Sequence, residues 1–393
     1  MQRYAAAESA GPSEEVTIMA FPQRSAGQPI TARRSPGREP YRRPRLRAVL
    51  ALTGAAVLAC TGCVAKPSEG RSGAAEDLGK VTIACGATEE WCAAMAAGFT
   101  AKTGVKADFV RLSSGEALAR IEAGRANTEF DVWHGGPSDA YAAAAERGLL
   151  EPYVSPNAAA IPDRYKDPAG YWTGVYVGVL GFCSNTEVLA EKGLKAPESW
   201  ADLAAPALRQ NVGMAHPSTS GTAYTALWTQ VVLAGGSREG ALGYMRRLHP
   251  NVLQYSKSGS APAQQAARGE VGVGLVFSHD CVATREQGFP HLEVTFPAEG
   301  TGYEVGGVAV VKGARNPVSA KRYVDWALTA AAQEIGPTVR SYQVPTHPDA
   351  RRSDKIVDLA TVRLVDYDSA AAGTAKAELT KLFDEQIARV PKA

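Results

Sequence analysis

The stretch 80–116, KVTIACGATEEWCAAMAAGFTAKTGVKADFVRLSSGE, decides the architecture. Its opening, Lys80-Val81-Thr82-Ile83-Ala84-Cys85, is β-branched and apolar, as a buried strand requires. Over 89–103 the period changes: Trp91, Met95 and Phe99 recur every four residues on one helical face, and Gly104 closes the helix. Residues 105–112 return to strand composition, and Ser113-Ser114-Gly115-Glu116 opens a helix over 117–123 with a serine cap. Beyond this stretch, Phe130-Asp131-Val132-Trp133 reads as a short buried strand and 138–148 as a helix ended by Gly148. Repeated strand-then-helix units predict an α/β fold with a parallel sheet covered on both faces.

Further along, 176–185 (YVGVLGFCSN) is a long β-rich run with two glycines, suited to a crossover between two lobes. A second set of units follows: strand 211–214, helix 221–234, strand 252–255, helix 261–268 and strand 271–277. Strand 306–311, an amphipathic helix over 318–331 and a final helix over 371–389 complete the reading, with no internal repeat of fixed period.

The chain has 393 residues, is 45% hydrophobic and 21% charged, and is long enough for two packed lobes. Its formal charge of +2 is unevenly placed: residues 1–59 carry nine Arg and four Glu, so the remainder is slightly acidic. No basic stripe marks a nucleic-acid partner. Arg42, Arg43, Arg45 and Arg47 precede an apolar run over 48–59, AVLALTGAAVLA, too short to span a bilayer. Val57-Leu58-Ala59-Cys60 has the character of a lipobox, with Cys60 the lipidated first residue of the mature chain; Cys63 is the second candidate. Residues 1–59 are therefore expected to be a disordered N-terminus plus lipoprotein signal peptide, with Met19 an alternative start, and 60–80 a flexible tether. The other four cysteines, Cys85, Cys92, Cys183 and Cys281, are an even set in an extracytoplasmic chain. Of three connectivities, the local pair Cys85–Cys92 with Cys183–Cys281 is preferred over the alternatives, buried free thiols among them.

Ligand sites in open α/β sheets lie beyond the carboxyl ends of strands, where helix N-termini supply unpaired N–H groups and a positive dipole end. Three such junctions here are rich in small hydroxyl residues: Ser113-Ser114-Gly115, Ser218-Thr219-Ser220-Gly221-Thr222 and Ser258-Gly259-Ser260. One of them alone is merely a helix cap; three across both halves imply a cradle for phosphate, phosphonate or another oxyanion. A second constellation, His279-Asp280 after an apolar strand and Tyr303-Glu304 before another, suits sugar hydroxyls or an amine. Trp133-His134-Gly135-Gly136-Pro137 is a third loop, where the glycines permit close backbone approach and His134 can face a ligand.

Together these stretches resemble class II periplasmic-type solute-binding proteins of the iron(III), hexose-phosphate and phosphonate branch. The resemblance runs from about Val81 to Asp349 and rests on 111–116 (RLSSGE), 131–136 (DVWHGG), 171–176 (YWTGVY), 217–223 (PSTSGTA), 257–260 (KSGS), 278–280 (SHD) and 300–306 (GTGYEVG). It implies two Rossmann-like lobes joined by a hinge, lobe one from 81–180 with 305–345, lobe two from 181–304, and 346–393 as a helical segment packing back on them. It implies that Ser114, Ser220, Thr222 and Ser260 hold an anionic group, and that His279, Asp280 and Glu304 hold hydroxyls or an amine. His134 departs from the aromatic residue the pattern carries after Trp133. The function implied is that of a monomeric, membrane-tethered solute-binding lipoprotein that delivers its ligand to an ABC permease, with no cofactor. Iron(III) is the alternative ligand, but the chain has no Tyr-Tyr pair, and Tyr176 and Tyr303 stand singly. A secreted hydrolase is the rival of another class; no Gly-x-Ser-x-Gly elbow sits on a strand–turn–helix, and His-x3–4-His metal spacing is absent.

Overall fold

A computed structural model describes residues 79–389 together with 391 and 392. The signal, Cys60, Cys63 and the expected tether up to residue 78 lie outside the described residues, and Lys80, placed at the tether's end, already belongs to the first strand. Three strand–helix units come first: β1 (Lys80–Cys85), α1 (Glu89–Thr103), β2 (Lys106–Arg111), α2 (Ser114–Ala123), β3 (Val132–Pro137) and α3 (Ser138–Glu146). The ends of α1 follow from local chemistry. Glu89 and Glu90 sit in its first turn, where the dipole favours acids, and Gly104 takes φ 75° so that its N–H reaches Thr100 O. At α2, Ser113 and Glu116 form a capping box. β3 starts later than the sequence reading placed it. The Asp131 carboxylate instead accepts from the Thr82 and Asn316 backbone N–H groups at 2.9 Å each, pinning two loops together.

The short β4 (Leu150–Glu151) leads to β5 (Thr173–Asn185), all of whose residues are buried. Next come α4 (Thr186–Glu191), α5 (Trp200–Leu203), β6 (Val212–Ala215), α6 (Gly221–Leu233), α7 (Arg238–Leu248), β7 (Val252–Ser256) and α8 (Ala261–Ala267). They are followed by β8 (Val273–Phe277), α9 (Ser278–Arg285), β9 (Leu292–Thr295), β10 (Tyr303–Val311), α10 (Pro317–Ala327), α11 (Ala330–Gln333), β11 (Val344–Pro345) and α12 (Ser369–Phe383). The helix expected over 318–331 is split, because the Thr329 side chain caps a new start by accepting from Ala332 N–H. The last helix begins earlier than expected, at Ser369, because Asp368 caps it through the N–H groups of Ala370 and Ala371.

The strands order as β2-β1-β3-β10-β5-β8-β6-β7, with β4 beside β10 and β9 and β11 beside β5. β1, β2 and β3 are mutually parallel, as are β6, β7 and β8. The long β5 links the two groups. It pairs with β10 and β11 through Val179, and with β8 and β9 from Leu180 onward. The buried side chains divide the same way into two lobes. Ile83, Phe99, Trp133, Tyr141, Val308 and Tyr323 belong to one core; Phe182, Trp200, Tyr224, Leu227, Leu275 and Phe383 belong to another. Disulfides Cys85–Cys92 and Cys183–Cys281 pin α1 to β1 and α9 to β5. No helix among the described residues is long and apolar enough to cross a membrane.

Candidate functional site

Between the lobes lies a cleft with about 450 Å³ of empty space, part of it open to solvent. The residues at the N-cap positions of α1, α2, α3, α6, α8 and α9, namely Thr88, Ser113, Pro137, Ser220, Ser260 and Phe277, all line it. This is the strand-end geometry at which helix dipoles and first-turn N–H groups favour an anion.

One group of lining residues is made of small hydroxyls and glycines: Ser114, Ser220, Gly221, Thr222, Gly259 and Ser260. Glycine is required where these turns touch. A Cβ on Gly221 would meet Pro137 Cδ at 2.5 Å and Ser114 Oγ at 2.9 Å, and one on Gly259 would meet Thr222 Oγ1 at 2.0 Å. The other group is Tyr176, His279, Asp280 and Glu304. His279 and Asp280 occupy the first turn of α9, so they stand on a helix start and not on the strand end expected from sequence. The His279 ring stacks on Phe277, with centroids 5.7 Å apart, and its Nδ1 is buried without a protein partner. Burial lowers the His279 pKa to about 3, so the ring is neutral at physiological pH. Burial raises Asp280 to about 7 against the opposing charge of Arg111, and raises Glu304 well above the ordinary carboxyl value, with Asp280 and Asp139 adding to the effect. Neutral carboxyl groups can donate as well as accept hydrogen bonds, which suits hydroxyl recognition.

Nine of the candidate residues line this cleft: Ser113, Ser114, Ser220, Gly221, Thr222, Ser260, His279, Asp280 and Glu304. Six others do not. His134 is fully buried behind it, its Nδ1 2.8 Å from Tyr323 Oη and its ring against Trp91, and burial depresses it to about pKa 3. Gly135 lies beside it and accepts from Tyr141 Oη through its carbonyl. The Ser218 hydroxyl turns toward Asp384, and the Thr219 hydroxyl donates to Lys257 O at 3.1 Å. Ser258 bonds Arg111 and Ser260. The Tyr303 ring packs beside Tyr367. In each case neighbouring groups already use the polar atoms or cover the ring, which sequence does not reveal. Conversely, Arg111, Gln343 and the turn Gly86-Ala87-Thr88 line the cleft with no sequence motif to mark them as ligand contacts, and Tyr176, a candidate only as a lone iron ligand, lines it as well. Tyr176 Oη accepts from Gly136 N–H at 2.9 Å, which holds the phenol in the wall.

Residues 94–363 match the family of bacterial extracellular solute-binding proteins. An uncharacterized protein of Haemophilus influenzae is 43% identical over 303 residues, 76% of this chain and 87% of that protein. The periplasmic binding protein AfuA of Actinobacillus pleuropneumoniae, solved with exogenous fructose-6-phosphate bound, is 42% identical, with a TM-score of 0.77 over 79% of this chain and 99% of AfuA. The periplasmic binding protein P5PA is 32% identical, with a TM-score of 0.75 over 79% of this chain and 99% of P5PA.

Proposed function

Because the chain belongs to the bacterial extracellular solute-binding proteins, we propose that its solute is a small organic anion, a phosphorylated sugar or phosphonate, held between the lobes and delivered to an ABC permease. The observation that carries this reading is the division of the cleft lining into two chemistries. Ser114, Ser220, Gly221, Thr222 and Ser260 form a neutral donor-rich cradle at helix starts, suited to a phosphoryl group. His279, Asp280 and Glu304 form a group suited to hydroxyls. Their burial eases a difficulty: two fully ionised carboxylates would repel an anionic solute, whereas burial shifts both toward the neutral form. The 42% identical AfuA, solved with fructose-6-phosphate, supports the same ligand class.

Lobe one (81–180 with 305–345) and lobe two (181–304) close about β5 and β10, with 346–393 packed back on them. Solute bridges the lobes only when they close, so it shifts the population toward the closed form. The permease reads that form. Lipidation at Cys60 tethers a monomer to the outer face of the membrane, and the protein acts by binding, without catalysis. Iron(III) fits less well, since a hard cation calls for several ionised oxygens. Tyr176 is the one tyrosine among the lining residues, and burial and Glu304 push its phenol away from ionisation.

A thermal-shift panel of hexose phosphates, phosphonates, inorganic oxyanions, polyamines and iron(III) tests the assignment. Ligand at a hundred times its dissociation constant adds about 2.7 kcal/mol. Stabilisation by a phosphorylated compound is expected. Stabilisation by iron(III) or a polyamine alone would overturn the anion cradle.

A further inference from the structure

Arg111, at the end of β2, stands between two hollows. It lines the cleft and also a second, more open hollow of about 820 Å³ beside it. Thr88, Ser260 and Asp280 are the other residues common to both, so the two spaces meet along this line. The guanidinium is fixed from both lobes. Nε donates to Ala87 O at 3.0 Å on one side, and Nη2 donates to Ser258 Oγ at 3.0 Å on the other. A planar donor held at two points is a rigid bar, and little of its rotamer freedom remains to be lost. The outer hollow is polar, walled further by Glu89, Gln264 and Thr284. Gln264 Nε2 already donates to Thr284 Oγ1 and Gln287 Oε1, so that wall is held in place. Of the residues common to both hollows, Ser260 belongs to the cradle and Asp280 to the hydroxyl-binding group, so the bar crosses the width of the passage between the two spaces.

We propose that Arg111 sets the length of the ligand: its side chain closes the cleft after one sugar unit and separates it from an outer polar hollow able to take a second. This rests on the phosphorylated-sugar reading above. The bar is completed only when Ser258 of the second lobe reaches it, so length is judged at closure. A ligand with a second sugar unit would have to displace the guanidinium and break both bonds.

The test is titration calorimetry of the purified chain and of the variants Arg111→Ser and Ser258→Ala with glucose 6-phosphate and trehalose 6-phosphate. Wild type is expected to bind the first and reject the second by at least 100-fold. Arg111→Ser is expected to weaken glucose 6-phosphate roughly tenfold, through loss of the interlobe bond, and to gain measurable binding of trehalose 6-phosphate. Ser258→Ala keeps the side chain in the gap, so it should weaken glucose 6-phosphate a few-fold and still reject the disaccharide. Equal binding of both sugars by wild type overturns the length limit while leaving the phosphorylated-sugar reading intact. So does an Arg111→Ser variant, shown folded by circular dichroism, that still rejects the longer ligand. No binding of either sugar by wild type overturns the ligand reading and the length limit with it.

Discussion

Asp280 is a carboxyl group with almost no access to solvent, on the first turn of α9, and Arg111 is the cation that tempers its burial. Its folded pKa is about 7, above its unfolded value, so the folded state binds the proton more tightly. Between about pH 4 and 7 the folded form keeps a proton the unfolded form has lost, and this group's contribution to stability falls as pH rises through that window. Glu304 acts in the same direction, while the depressed His279 acts oppositely: below its ordinary value only the unfolded form is charged. Asp280→Asn should therefore gain stability relative to wild type as pH goes from 4 to 7. Melting curves of the two proteins taken across that range check this, and a constant gap between them would refute a perturbed Asp280. The residues legible from sequence were those whose role is local. Ser114, Ser220 and Ser260 sit at helix starts, and helix starts are written in neighbouring residues. Arg111 and Gln343 reach the cleft through tertiary packing, and His134 leaves it because Tyr323, distant in sequence, takes its nitrogen.

At the scale of elements, the first turn of α2 meets the loop before α6 across the cleft. Gly115 N–H donates to Thr219 O at 2.9 Å, and a Cβ on Gly115 would lie 2.1 Å from Ser218 O and 2.9 Å from Thr219 Cα. These are backbone atoms of the facing lobe and cannot swing aside. Within its own helix an alanine is favourable by about 1 kcal/mol relative to glycine. Gly115→Ala should therefore leave the unliganded protein as stable as wild type or more so, yet block closure. Small-angle scattering should show no contraction on adding ligand, with affinity down about tenfold or more, about 1.4 kcal/mol. A variant that contracts like wild type would show that this contact is not made at closure. Elements with a clear period, such as α1 with Trp91, Met95 and Phe99, were legible to the residue. α9 was not, because Ser278-His279-Asp280 reads as a polar turn and its helix is set by packing against β5 and β9. The split between α10 and α11 was missed because Thr329 looks like one more polar position on an amphipathic face until its cap bond is seen.

At the scale of the whole molecule, α12 joins what the two cores separate. Its Leu379 and Phe383 are buried in the core containing β6 and β8, while Gly373 lies against α3. A Cβ there would come within 2.8 Å of Asp139 O, so the two helices touch backbone to backbone. Beside this contact Lys376 Nζ pairs with Asp139 Oδ2 at 2.9 Å and lies 3.5 Å from the centroid of the Tyr224 ring on α6. Both partners are buried. Desolvation lowers the Lys376 pKa and raises that of Asp139, and in each case the partner's charge opposes the shift. A pair of this kind adds little over a well-packed apolar substitute, but removing one member strands the other charge in a dry interior. Lys376→Met should therefore destabilise by about 3–5 kcal/mol. Lys376→Met combined with Asp139→Leu should recover much of that loss, because neither charge then remains buried. Urea unfolding of the wild type, both single variants and the double variant closes the cycle. Additive losses would mean that the two side chains do not depend on each other, and that α12 is held to α3 by the glycine contact and apolar packing alone.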